Sequence, residues 1–121
     1  MTKSEAKKFC EEEQEVPARL VEIDSAEENR AIVAEIQRRN FLSRKINFWL
    51  GITDRHSEGD WVLESTGKSV VFTDWNFGEP NNWGSGENCA HTWVAFEWMD
   101  SKCSDKTMKD GWWMRTALCE K

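Results

Sequence analysis

The chain has 121 residues, which fits one domain with a modest buried core. Its net charge of −6 argues against nucleic acid as a partner, because a phosphate backbone selects a basic face. Apolar runs are only a few residues long, too short for a membrane-crossing helix, and the opening MTKSEAKKFCEEE is charged, unlike a secretory leader. The expectation is a cytosolic protein or a chain that starts inside a longer one.

In chain order, residues 3–14 read as a helix. Thr2-x-x-Glu5 forms a capping box, and Ala6, Phe9 and Cys10 recur at helical spacing as its inner face. Pro17 stands just past its end, and ARLVEI (18–23) is a short strand-like link. A second helix is predicted over 25–39. Ser25 caps it with Glu28 three residues on, Asp24 favours the same end, and Ala31, Ile32, Ile36 and the stem of Glu35 form the inner stripe. Beyond residue 47 the texture changes to strands and turns. FWLGI (48–52), DWVLE (60–64) and SVVFTDW (69–75) read as strands. CAHTWVAF (89–96) and EWMD (97–100) read as a hairpin, and WWMRTALCE (112–120) as a last strand. Helices first and strands after point to an α+β domain covering 1–121, with no linker or internal repeat.

Four cysteines, Cys10, Cys89, Cys103 and Cys119, include no C-x-x-C pair, which argues against a zinc ribbon. An even number of cysteines, widely spaced in a small domain, suits two disulfides and an oxidising compartment; three pairings satisfy the count, and four reduced thiols are the alternative. Eight Trp and no Tyr are unusual, and seven of the Trp lie from Trp61 onward. Trp49, Trp61, Trp75 and Trp98 sit in strand motifs and read as core.

The segment FGEPNNWGSGENC (77–89) is turn-rich yet dense in side-chain oxygens. Calcium takes roughly six to eight oxygens from carboxylates, amides and water, and a curved loop can aim short side chains at one point. A cis Glu79–Pro80 bond would turn Glu79 and Asn81 to one side. Glu87 and Asn88 follow within reach, and Asp100 returns across a Cys89–Cys103 bridge if that pair forms. The pattern lacks the EF-hand ladder, and by composition alone a polar turn is the commoner reading.

The order of motifs resembles the C-type lectin domain family. It runs Cys10 on a first helix, SAEENRAI opening the second, FWLGITD (48–54), DWNFGEPN (74–81), GENC (86–89), WMDSKC (98–103) and ALCEK (117–121). The resemblance covers nearly the whole chain. It implies two helices, two small antiparallel sheets, a long calcium-binding loop and nested disulfides, Cys10–Cys119 and Cys89–Cys103. It implies a principal calcium (Ca2+) held by Glu79, Asn81, Glu87 and Asp100, with the vicinal hydroxyls of a sugar completing the metal's coordination. The E-P-N order resembles members that take mannose-type sugars. An accessory calcium site would use Asp54 and Glu58 with Asn82, Glu87 and Asn88. It would bind weakly, because amides stand where stronger sites have carboxylates. Trp83 could stack on a sugar or pack the loop. The implied partners are mannose-type glycans or a glycoprotein, and the implied location is secreted or extracellular.

Three features depart from that pattern. Met99 stands where the family has an Asn ligand, and a thioether is a poor donor to a hard cation. Glu97 is nearby, but strand alternation gives no reason to aim it at the metal. Cys103 to Cys119 encloses fifteen residues, with Lys106, Lys109, Trp112 and Trp113 in the extra stretch. Residues 104–113 are therefore either a tolerated insertion or a cationic, aromatic protein-contact surface. The strand that usually precedes the first helix is not in this sequence. A protein-interaction domain with weak or no sugar binding is thus the alternative function. Catalysis has no candidate: His56 and His91 are isolated, and Glu79 and Glu87, if they hold calcium, cannot serve as a protonated acid.

Overall fold

A computed structural model describes residues 1–12, 18–39, 47–82, 86–92, 96–104 and 117–120. The last turn expected for the first helix, Trp83, most of the 104–113 stretch and the start of the last strand lie outside them.

Helix α1 (Lys3–Glu12) starts on the expected capping box. Thr2 N–H donates to Glu5 Oε1 at 2.8 Å, and Glu5 N–H donates to Thr2 Oγ1 at 3.2 Å. Such a cap stabilises by about 1 kcal/mol. Ala6 and Cys10 are buried and Phe9 is half-buried. Lys3 is buried as well, against expectation; its ammonium sits on the Glu64 carboxylate and donates to the Ile52 carbonyl at 3.2 Å. Helix α2 (Ala26–Arg39) begins after Ser25, whose Oγ accepts the Glu28 N–H at 3.0 Å. Ile32 and Ile36 pack on the core as expected, whereas Ala31 is exposed. One residue turns a helix by about 100°, so Ala31 falls off the stripe that Ile32 and Ile36 define.

Two antiparallel sheets complete the fold. Strand β1 (Arg19–Leu20) pairs with β6 (Cys119–Glu120), Leu20 opposite Cys119. The second sheet has the order β3 (Val62–Leu63), β2 (Trp49–Thr53), β4 (Cys89–Thr92), β5 (Trp98–Ser101). The β4–β5 pair sets Ala90 opposite Asp100 and His91 opposite Met99. Both faces of this sheet are covered. Trp49, Cys89 and Met99 pack with Ala6, Cys10 and Leu20 on one side. Leu50, Ile52, Ala90 and Trp98 pack with Val21, Ile23, Phe48 and Trp61 on the other. Burial on both faces explains why FWLGI is continuously apolar rather than alternating. Gly51 lies where β2 passes the 19–22 link: a Cβ there would meet Leu20 O at 2.8 Å and Glu22 Cγ at 2.9 Å.

Residues 69–75 do not form the expected strand. They touch the sheet at its ends, through the Val62–Ser69 and Trp75–Trp98 bridges, and run irregularly between. Side chains attach them instead: Phe72 and Trp75 meet Trp98 edge-on, with ring centroids 5.7 and 5.8 Å away. The 60–64 strand likewise shortens to Val62–Leu63, because the chain turns at once. The disulfides are nested, Cys10–Cys119 and Cys89–Cys103. Their sequence separations of 109 and 14 correspond to about 5 and about 3 kcal/mol of loop-closure stabilisation in the chain-entropy account.

Candidate metal and ligand site in the 77–100 region

The loop after Trp75 is shaped by local conformation. Gly78 takes a φ of 83°, Glu79–Pro80 is cis, and Asn82 takes a φ of 46°, which Asn tolerates better than most residues. Glu79 and Asn81 turn to one side, and Asn81 Nδ2 donates to Glu79 Oε2 at 3.2 Å. Asp100 anchors this turn from β5. It is fully buried; its Oδ1 accepts the Asn81 N–H at 3.0 Å and its Oδ2 accepts the Asn82 N–H at 2.7 Å. Each oxygen keeps a lone pair beyond the bond it makes. Asn82 Oδ1 in turn accepts the Glu87 N–H at 3.0 Å, which draws the far arm of the loop back. Glu87 is buried, and the Asn88 carbonyl is held by the Thr53 hydroxyl at 2.7 Å.

Asp54, at the end of β2, is buried and held differently. Its Oδ2 accepts the Gly59 N–H at 3.0 Å, while its Oδ1 has no hydrogen-bond partner among the described residues. Glu58 reaches back to it. A hydrogen bond to the Asp54 carboxyl pushes the Glu58 carboxyl above the usual range, and the negative charges of Asp54 and Asp100 add to the shift.

The structure thus gathers Glu79, Asn81, Asn82, Glu87 and Asp100 into one hydrogen-bonded loop, with Asp54 and Glu58 beside it in the field of Asp100. Among the described residues, no three His, Cys, Asp or Glu side chains converge closely enough to ligate one ion. The donors are nonetheless all hard oxygens, and the buried Asp54 oxygen without a hydrogen-bond partner among the described residues fits a calcium ion chemically.

Met99 is buried with Trp49 and Cys89, on the sheet face opposite Trp98, so its side chain belongs to the core. Glu97 accepts from Asn76 Nδ2 at 3.2 Å. His91 is buried edge-on to Trp49, its Nδ1 2.7 Å from the Thr92 carbonyl, and His56 is exposed. Trp49, Trp61 and Trp98 are buried as expected, and Trp75 is half-buried. Sequence reading missed Thr53, which fixes the Asn88 carbonyl. Its only signal was its place before Asp54 at the end of an apolar strand.

A family model described as Lectin C-type domain matches residues 1–109. Hepatic lectin of Gallus gallus is 36% identical over 105 residues, which cover 86% of this chain and 46% of that protein. The chain therefore spans about half the length of that relative. The carbohydrate-recognition domain of the mouse scavenger receptor C-type lectin superposes with a TM-score of 0.71 at 31% identity, covering 86% of this chain and 73% of that one. The corresponding domain of cow CD23, solved in the presence of a GlcNAc2Man3 oligosaccharide, gives a TM-score of 0.70 at 27% identity, covering 87% and 73%. Sugar binding without catalysis is the activity of this family. Motif order, nested disulfides, fold and these likenesses agree: the chain belongs to the C-type lectin domain family.

Proposed function

We propose that this domain binds mannose-type glycans in a calcium-dependent manner. The observation that carries the reading is the convergence of Glu79–Asn81 and Asn82–Glu87 around the buried Asp100. Glu79, Asn81, Glu87 and Asp100 would hold the principal calcium, and Asp54 and Glu58, with Asn82, Glu87 and Asn88, a weaker accessory one. When bound, calcium offers coordination places to vicinal sugar hydroxyls. The chain's own groups do the rest: carboxylates of Glu79 and Glu87 accept from those hydroxyls, and the Asn81 amide donates to them. The hydrogen bonds from Asn81 and Asn82 to Asp100 pre-order the loop, so less conformational freedom is lost on binding. Glycans or glycoproteins are the partners. A secreted or extracellular setting is supported by the two disulfides.

A glycan array run with and without calcium tests this reading. Mannose-type signals that vanish with chelator are expected, and Glu79→Ala should abolish them. Equal signals without calcium, or galactose-only binding, would contradict it.

The burial of Met99 favours a second reading, a protein-interaction domain with weak or no sugar binding. With no donor at that position, the remaining set is one oxygen short of the family's. The same array, empty in both conditions while calcium still raises the melting temperature, would favour this reading.

A further inference from the structure

A cleft of about 900 Å³, with none of Glu79, Asn81, Asn82, Glu87 or Asp100 in its lining, lies between the start of α1, the β2–β3 turn and the Cys89–Cys103 disulfide. Its charge runs against that of the whole chain, which is −6. Lys3, Lys7, Arg55 and His56 line it, opposed by Glu64 and Asp60. The Glu64 carboxylate is shared: Lys3 sits directly on it, and Lys7 Nζ lies 3.6 Å from its other oxygen. Arg55 makes no ion pair among the described residues, and its guanidinium rests against Cys103 Sγ at 3.6 Å. Burial pushes the Lys3 ammonium below its ordinary range; the Glu64 carboxylate works against that shift, and the positive charges of Lys7 and Arg55, which repel it, add to it more weakly. The Ser4 and Ser104 hydroxyls add neutral donors on the same wall.

We propose that this cleft is a second, metal-independent site for a saccharide that carries an oxyanion, either a sulfate ester or a carboxylate. The cation excess comes from side chains on different elements, so folding assembles it, among the described residues, without a full set of counter-charges. A bound oxyanion supplies the missing negative charge and relieves the repulsion. Arg55 offers a planar fork that matches sulfate or carboxylate, and Lys7 a mobile point charge at the rim. The size suits an oligosaccharide better than a lone ion. The choice of a saccharide rests on the family's sugar binding; the charge argument stands apart from it, and neither needs the calcium loop.

The test titrates the protein, in chelator, with a sulfated disaccharide, its unsulfated parent, a uronate disaccharide and inorganic sulfate. The sulfated or the uronate sugar should bind, with affinity falling as salt rises, and whichever binds identifies the oxyanion. Arg55→Ala and Lys7→Ala should each weaken it by about tenfold, while Lys8→Ala, on the same helix but outside the cleft, should not. Both cleft residues are exposed enough for their variants to fold, which melting curves would verify. No binding by either charged sugar, wild-type affinity in both cleft variants, or equal affinity for inorganic sulfate would overturn the proposal. Because chelator is present throughout, failure here leaves the calcium-dependent reading intact, and the reverse also holds.

Discussion

Asp100 and Asp54 are both buried carboxylates beside the same loop, yet the chain treats them differently. Asp100 receives a main-chain N–H on each oxygen, from Asn81 and Asn82, so the protein alone goes far toward satisfying it. Asp54 receives one, from Gly59, and its other oxygen has no hydrogen-bond partner among the described residues. Burying a charge is costly unless it is paired or hydrogen-bonded. Asp100 is therefore a structural clamp as well as a candidate ligand, whereas Asp54 is left less fully satisfied by the described residues.

The largest expected effect separates these roles. In chelator, Asp100→Ala should cost about 3 kcal/mol, because two charge-assisted bonds vanish and two N–H groups lose their acceptor. Asp54→Ala should cost less than about 1 kcal/mol, since water can reach the Gly59 N–H and a carboxyl-to-carboxyl contact disappears. In calcium, the Asp54 variant should lose part of the metal-induced rise in melting temperature. Equal losses for the two variants, by urea denaturation in chelator, would erase the distinction.

Met99→Asn comes next. Restoring the family's residue should not restore a ligand, because the side chain enters the Trp49 cluster; stability should fall by about 2 kcal/mol with no gain in mannose affinity. Tighter sugar binding in that variant would show that position 99 faces the loop after all.

A smaller effect involves a carboxyl pair remote from the loop. A hydrogen bond to Asp24 and partial burial push the Glu28 carboxyl up to about 7, with the charges of Asp24 and Glu120 adding to the shift. Since the folded state holds this proton more tightly than the unfolded state, its contribution is fully present below about 4.5 and is lost as pH rises through about 7. Melting temperature in chelator should therefore decline over that window from this group, and Glu28→Gln should flatten the decline. An unchanged slope would remove Glu28 as its source. The smallest effect belongs to Phe77, fully exposed beside Gly78. Phe77→Ala should alter stability by no more than about 0.5 kcal/mol, checked by thermal melting.

Much of this architecture was legible in the residues. Capping boxes and cysteine order are local or ordinal signals that survive folding unchanged, and FWLGI announces a strand buried on both sides. The 69–75 stretch was not legible, because its apolar residues attach through ring contacts with Trp98 while its backbone leaves the ladder. The surroundings of Met99 were not legible for a related reason. Alternation tells that Trp98 and Met99 point apart, but not that both faces of β5 are covered. Lys3 breaks the helical pattern because its partner, Glu64, is remote in sequence. The clamp on Asp100 depends on main-chain N–H groups, which every residue but proline carries, so no residue pattern marks it.

Retention on immobilised mannose is the most direct measurement of the proposed function. In millimolar calcium the wild-type domain should be retained, be released by chelator or free mannose, and ignore free galactose, while Glu79→Ala passes through. Passage of the folded wild-type domain in calcium, or retention that chelator leaves unchanged, would contradict the account.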